Sequence, residues 1–202
     1  MSEKIKPSAE KHSGPKRNDE CHRAILDAAQ YSLGTDGYAN FSIEKVAARA
    51  GVGKQTIYRW WGSKALLVLE VFRDRLLPLT EHYDGSSPIQ KHLKKQLLAF
   101  GQHISKTNCQ QAIICLIAEM HRNSKLMEMS KTSILSPRLD IIYEALELAV
   151  TLGQISPKAD HKIIVDQLWG GIWYKVIIKN EPVTTRFTNS LVDQVFTGLL
   201  SE

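Results

Sequence analysis

The sequence predicts an all-α fold, on two observations. Apolar residues recur at helical spacing along most of the 202 residues, and no useful stretch alternates with the period of two that a half-buried strand requires. Glycine and proline number 12 and 7, which favours long uninterrupted helices over strands and turns. We therefore expect a small N-terminal helical domain followed by a larger one, with no internal repeat.

The N-terminal domain is expected at residues 19–66, after a polar arm at 1–18 that lacks the apolar residues to bury and is predicted to be disordered. Its first helix ends near Gly34 and Gly37. The apolar face of this helix is formed by Ile25, Leu26, Ala29 and Leu33.

Two short helices follow, one starting after Ser42, a plausible N-cap, and one from Lys54 to about Trp61. The segment Gly51-Val52-Gly53 separates them. Ser63 can cap a longer helix, which we expect to run from Lys64 to about Tyr83.

The C-terminal domain is expected at residues 67–202. A turn at Asp84–Pro88 comes first, and Ser136-Pro137 can split or kink one of the later helices. The helical patterns cover 89–106, 109–122, 124–152, 160–180 and 186–200.

Charge and cysteine content limit the protein class. The net charge of +5 lies mostly in residues 1–66, which carry +4; a basic solvated tail would explain it as well as an acidic partner would. Three cysteines without a CxxC pair indicate neither a disulfide framework nor a zinc site, and we expect no metal and no cofactor. No apolar run is long enough to span a membrane, and the charged start is not a signal peptide, so we expect a cytoplasmic protein.

The segment 41–64 has the features of a helix-turn-helix. Gly51 tolerates the unusual backbone of a tight turn, and Ala47 is small enough for two helices to meet there. Ile57 and Trp61 are four residues apart and therefore face the same way, toward the core.

That assignment leaves a polar side facing outward on the second short helix. Such a set suits a helix that inserts its N-terminal end into a major groove. The N-termini of the helices capped by Ser42 and Ser63 can bind phosphates, and Lys64 adds a positive charge beside the second of them. Each of these residues could singly be a solvated or packed side chain, but their common face favours DNA. The outward residues are Lys54, Gln55, Thr56, Tyr58 and Arg59.

The stretch FSIEKVAARAGVGKQTIYRWWGSKALLVLEVF resembles the TetR/AcrR family of repressors. The likeness covers roughly residues 20–72, and Gly62 departs from it, since many members carry proline or another residue there. The resemblance implies dimers on a palindromic operator in double-stranded DNA, usually as repressors released by a small-molecule effector. It implies base or backbone contacts from Lys54, Gln55, Thr56 and Arg59, and phosphate contacts from Ser42, Tyr58, Trp60 and Lys64.

The last two helices carry broad apolar faces that can form a homodimer interface or pack within their own subunit. We expect the dimer, largely because of the resemblance. The expected interface residues are Ile164, Leu168, Ile172, Leu191, Val195 and Phe196.

An effector pocket is expected between the central helices, with an aromatic and methionine-rich lining that suits a mostly apolar ligand. Each candidate could equally be plain core, and the histidines show no metal-ligand spacing. The candidates are Phe100, His103, Cys115, Met120, His121, Tyr143, Trp169 and Trp173.

Two other functions stay open at this point. An enzyme is disfavoured because the sequence has no GxSxG, P-loop, strand-linked GxGxxG or HExxH motif, although scattered residues can converge in a fold. A helical module that binds protein rather than DNA would show no salt-dependent affinity for duplexes.

Overall fold

The structure, a computed structural model, describes residues 15–76, 80–106 and 109–197. Every regular element within these ranges is helical, as the sequence predicts. The helices are α1 Pro15–Asn40, α2 Ile43–Ala50, α3 Lys54–Trp61, α4 Lys64–Val71, α5 Ile89–Lys106, α6 Cys109–Met120, α7 Ser124–Ser130, α8 Ser136–Thr151, α9 His161–Trp173 and α10 Thr185–Thr197.

Three of these helices continue into a π-helical turn. α4 runs on through Phe72–Leu76, α7 is joined to α8 by Lys131–Leu135, and α9 runs on through Tyr174–Ile178. The predicted helix at 124–152 is thus interrupted just before Ser136-Pro137, where a break was expected. π turns widen the backbone locally and are frequent at functional sites.

The first helix extends beyond its predicted bounds at both ends. It already includes residues 15–18, which were expected to belong to the disordered arm; the rest of that arm lies outside the described residues. At the other end the helical backbone breaks at Gly37 (φ 69°), as predicted, and after this kink a short helical stretch continues to Asn40. Glycine takes this left-handed conformation without a steric penalty.

The helix after Lys64 is shorter than predicted. The described helical backbone reaches Leu76, and beyond the undescribed positions 77–79 Tyr83 lies in a non-helical segment where its hydroxyl is 3.0 Å from Gln154 Oε1.

α5 is central to the C-terminal domain. It packs against α6, α8, α9 and α10, with the side chains of Leu93, Leu97 and Ile104 fully buried. The N-terminal domain is joined to this bundle because α1 and α4 both pack against α6. No described helix has the length and apolar character needed to cross a membrane.

Candidate nucleic-acid interface and internal cavity

Local hydrogen bonds fix the angle between α2 and α3. Ser42 Oγ accepts from Lys45 N at 3.2 Å and caps α2, and Gly51 ends that helix in the left-handed conformation (φ 68°). The Val52 N–H then donates to Ala47 O at 3.0 Å, which closes the turn. The helix-turn-helix expected from the sequence is therefore present.

α3 has one buried and one exposed side. Ile57 is fully buried and Trp61 is 6% exposed, whereas Tyr58 on the opposite side is 45% exposed. Lys54, Gln55 and Arg59 are also exposed and Thr56 is half-buried. The outward polar side predicted from sequence is thus open to a ligand as large as a duplex.

A polar cluster that the sequence analysis missed holds the end of α3 in place. The Trp61 indole N–H donates to Glu70 Oε2 on α4, and Glu70 Oε1 lies 3.0 Å from His22 Nε2 and 3.2 Å from Arg73 Nη2. The His22 ring stacks on Trp61 with 5.2 Å between ring centroids and lies 5.8 Å from Trp60. Spacing along the chain gives no hint of this cluster because His22 and Glu70 are 48 positions apart.

The predicted phosphate contacts at the start of α4 are partly engaged within the chain. Gly62 ends α3 with φ 74°, which proline could not adopt, and Ser63 Oγ caps α4 by accepting from Leu66 N at 3.2 Å. Lys64 Nζ donates to Tyr38 O at 2.7 Å, and burial lowers the pKa of Lys64. A phosphate contact from Lys64 stays a prediction, and the same holds for half-buried Trp60.

The C-terminal domain encloses a cavity of about 570 Å³, with walls contributed by α4 to α9. Most of the lining is apolar, and Phe100 meets Trp173 edge-on with 5.8 Å between ring centroids. The predicted pocket residues that lie in this wall are Phe100, Met120, His121, Trp169 and Trp173.

Three predicted pocket residues lie outside the cavity wall: His103, Cys115 and Tyr143. Cys115 is adjacent to the lining residue Leu116 on α6, and Tyr143 is adjacent to the lining residue Ile142 on α8. Adjacent residues of an α-helix point about 100° apart, so neither side chain faces the cavity as its neighbour does. Apolar periodicity identifies the buried side of a helix, but it does not show which residues on that side line a cavity and which pack against another helix.

Arg138 is a lining residue that the sequence analysis did not select. It occupies the buried side of α8, three residues after Leu135 and four before Ile142, both of which line the cavity. That spacing was the available signal, because an arginine in an apolar helical stripe is unusual.

Burial divides the expected dimer residues into two groups, and an interface through the less buried group stays a prediction. Leu168 and Ile172 are fully buried within the chain, so a partner cannot reach them in this conformation. Four others are half-buried and pack against the chain's own core: Ile164, Leu191, Val195 and Phe196. The period-3.6 pattern of α9 marked its inward side, and the sequence alone could not distinguish that side from an interface.

A different apolar stripe on α9 and its π turn faces solvent. Ile163, Tyr174 and Ile178 are 51%, 59% and 70% exposed, and Gln167 and Gly170 lie on the same side. The position where a Gly170 side chain would begin has open space around it. Large apolar residues exposed in a row indicate a surface that another molecule covers.

Comparison with known proteins gives a consistent result. Residues 25–71 match the family model described as bacterial regulatory proteins, tetR family, and 89–195 match the one described as tetracyclin repressor-like, C-terminal domain. The chain is 27% identical over 189 residues to the uncharacterized HTH-type transcriptional regulator YdeS of Bacillus subtilis (strain 168), covering 92% of this chain and 93% of that one. It is 33% identical over 165 residues to the uncharacterized HTH-type transcriptional regulator Mb1581 of Mycobacterium bovis, covering 79% and 77%.

A solved structure of a TetR family regulator has the same fold as this chain. The crystal structure of the TetR family transcription regulator SCO0332 superposes with a TM-score of 0.73 at 31% identity, over 90% of this chain and 100% of that one. The agreement extends through both domains, whereas the sequence resemblance was limited to roughly residues 20–72.

Proposed function

Since the chain belongs to the TetR family and is a DNA-binding transcriptional regulator, we propose that it is a dimeric repressor released from a palindromic operator by a small, mostly apolar effector. The observation that carries the proposal is the two-sided α3, anchored by Ile57 and Trp61 and polar on its exposed face. We place its activity in the cytoplasm, where a bacterial operator lies.

The exposed side of α3 supplies the operator contacts in this proposal. Lys54 and Arg59 can reach guanine edges, and Gln55 can make two hydrogen bonds to adenine. Tyr58 contacts the phosphate backbone, and the capped start of α2 at Ser42 presents helix N–H groups to a second phosphate.

The exposed stripe of α9 supports the dimer. A two-fold axis across it would set Tyr174 and Ile178 of each subunit against the other, with Gly170 allowing close approach of two backbones. The two recognition helices would then read half-sites about one helical turn, roughly 34–36 Å, apart.

The cavity supplies the effector site. A volume of 570 Å³ with mostly apolar walls suits a drug-sized apolar molecule, since such pockets measure roughly 300–1,000 Å³. An effector that binds more tightly to the conformation with the recognition helices farther apart shifts the protein toward that conformation. The operator affinity then falls by at most the ratio of the effector's affinities for the two conformations.

Selection of bound duplexes from a random library tests the regulator assignment, followed by salt titration of the selected sequence. We expect a palindromic consensus and a loss of affinity of about a thousandfold between 50 and 200 mM salt, because phosphate contacts release counterions. A flat salt profile with no consensus would contradict the proposal and favour a protein-binding module.

A charge-matched pair of variants locates the contacts. Lys54→Ala, Gln55→Ala and Arg59→Ala combined should abolish recognition of the consensus. The control combines the same residue types at exposed positions of the other domain, namely Gln111→Ala, Arg122→Ala and Lys125→Ala, and should bind as the unaltered protein does. Equal binding by both triple variants would mean that α3 is not the recognition helix.

A further inference from the structure

The polar groups in the cavity wall are unevenly distributed. His121, Lys131 and Asp166 are exposed to solvent, whereas Thr80, Gln96, Ser130 and Arg138 are half-buried. Thr80, Gln96 and Arg138 form a polar corner in this mostly apolar wall, because Arg138 is hydrogen-bonded to Thr80 and Gln96 to the neighbouring Glu81. A ligand that enters the cavity meets this corner with little water available to screen it.

Arg138 holds the charge of this corner. Its Nη1 donates to Thr80 Oγ1 at 3.3 Å, and burial lowers the pKa of its guanidinium, which nevertheless stays charged at neutral pH. A guanidinium carries five N–H donors in a rigid plane, so Arg138 can contact Thr80 and hold a second acceptor at the same time.

The segment beside Arg138 is positioned by a second contact. Gln96 Nε2, on α5, donates to Glu81 O at 3.1 Å. Since Thr80 is the neighbour of Glu81, this bond holds the Thr80 hydroxyl next to α8. The corner is thus built from α5, the 80–81 segment and α8, and its geometry is set before any ligand binds.

We propose that the effector is an amphipathic monocarboxylate, with its apolar body against Phe100, Trp169 and Trp173 and its carboxylate on Arg138. This inference rests on the effector site proposed above and names the class of molecule that fills it. A carboxylate matches the planar guanidinium with two parallel N–H···O bonds, and such charge-assisted bonds are roughly twice as strong as neutral ones.

Other ligand classes fit less well. A cationic ligand would be repelled by Arg138 in a space with little screening. A purely apolar ligand would displace water from the guanidinium and return no hydrogen bond, and that desolvation is costly. A carboxylate supplies both the opposite charge and two acceptor oxygens, so it matches the guanidinium better than either of these classes does.

Matched ligand pairs test this inference on the full-length protein. The probes are decanoate with 1-decanol and 4-phenylbutanoate with 4-phenylbutan-1-ol, measured by titration calorimetry and by the fluorescence of Trp169 and Trp173. In at least one pair the acid should bind about 10- to 100-fold tighter than its alcohol, the range that hydrogen bonds to a charged group supply. Equal affinities within both pairs, or binding by no probe, would overturn the proposal.

Four variants assign the preference to one side chain. Arg138→Gln should remove the preference for the acid while leaving affinity for the alcohol, and Arg138→Lys should keep part of it. Arg122→Gln, an exposed arginine outside the wall, serves as the control and should keep the full preference. If Arg138→Gln keeps the preference, or if Lys131→Gln removes it, the carboxylate site is wrongly assigned. Comparison of the two ligands on the unaltered protein does not depend on whether these variants fold.

Duplex binding by the same preparations separates the two proposals. If the protein binds DNA in a salt-dependent way but shows no preference for acids, the proposed regulator function is supported and only the ligand class is rejected. A preference for acids that needs Arg138, in a protein that does not bind duplexes, supports the ligand class and rejects the operator model.

Discussion

Tyr38 donates a hydrogen bond from its phenol to Glu119 Oε1 at 2.5 Å, joining positions 81 residues apart. Tyr38 lies near the C-terminal end of α1, and Glu119 lies on α6 directly before Met120, a residue of the cavity wall. Burial, together with the Glu119 carboxylate, raises the pKa of Tyr38, so the phenol remains a proton donor at any physiological pH. Since Lys64 Nζ donates to the Tyr38 carbonyl, α1, α4 and α6 meet at this tyrosine.

Tyr38→Phe should weaken the contact between the two domains. The variant leaves the Glu119 carboxylate without its phenol donor, and we expect the free energy of unfolding in urea to fall by about 1–3 kcal/mol. A molecule bound in the cavity should then change the dissociation constant for operator DNA by a smaller factor than in the unaltered protein.

Tyr31→Phe is the matched control, because Tyr31 also lies on α1 but is half exposed and keeps its ring over Arg49. Tyr31→Phe should change neither the free energy of unfolding nor the effect of the ligand on operator affinity. If Tyr38→Phe leaves both the free energy of unfolding and the effect of the ligand on operator affinity unchanged, the Tyr38–Glu119 hydrogen bond does not connect the two domains energetically.

Gly51→Ala should destabilise the turn between α2 and α3. The position has open space around it, so the cost comes only from the left-handed backbone (φ 68°), about 1–2 kcal/mol in the free energy of unfolding. Gly53→Ala is the control, since Gly53 also has open space but has φ −73°. Its effect should stay within about 0.5 kcal/mol. Equal losses for both variants would show that the backbone angle is not the cause.

The helix-turn-helix was predictable because its determinants are local. Ser42 caps α2, Gly51 turns the chain, and Ile57 with Trp61 faces inward, all within a short stretch whose geometry follows from spacing. Which side of α9 stays exposed was not predictable in the same way, because α9 has apolar residues on both sides. Leu168 is packed inside and Tyr174 is exposed, and only the tertiary arrangement separates them. Arg138 was missed for the same reason, since the sequence does not show where a space remains between helices.

Glu70→Ala should weaken both stability and DNA binding. It removes the acceptor of the buried Trp61 indole, and an unsatisfied donor costs about 1–3 kcal/mol. With its last turn less firmly held, α3 should bind the operator less tightly at every sequence position, as measured by fluorescence anisotropy. Glu70→Gln keeps an acceptor oxygen and should recover most of the affinity. Normal binding by Glu70→Ala would mean that Trp61 holds α3 by packing alone.

Tyr174→Asp should dissociate the proposed dimer. A charge at this exposed position would be buried in the proposed two-fold interface without a partner, which is strongly unfavourable. Sedimentation analysis should show a folded monomer with reduced operator affinity. Tyr31→Asp places the same charge at a half-exposed tyrosine of the N-terminal domain and should remain dimeric. A dimeric Tyr174→Asp protein would place the interface elsewhere.

His92 should make the folded chain less stable in mild acid. Burial lowers the pKa of His92, whose ring lies 5.1 Å from that of Tyr83, below its ordinary value of 6.5. The unfolded chain therefore binds this proton more readily than the folded chain does. Its contribution to stability is present above pH 6.5 and declines as the pH falls toward the folded value.

His92→Gln should flatten this dependence between pH 7.5 and about 5.5, measured as the midpoint of urea unfolding at each pH. Carboxylates also titrate toward acid, so the informative quantity is the difference in slope between the variant and the unaltered protein. A slope unchanged in His92→Gln would mean that the imidazole takes up its proton equally well in the folded and unfolded chain.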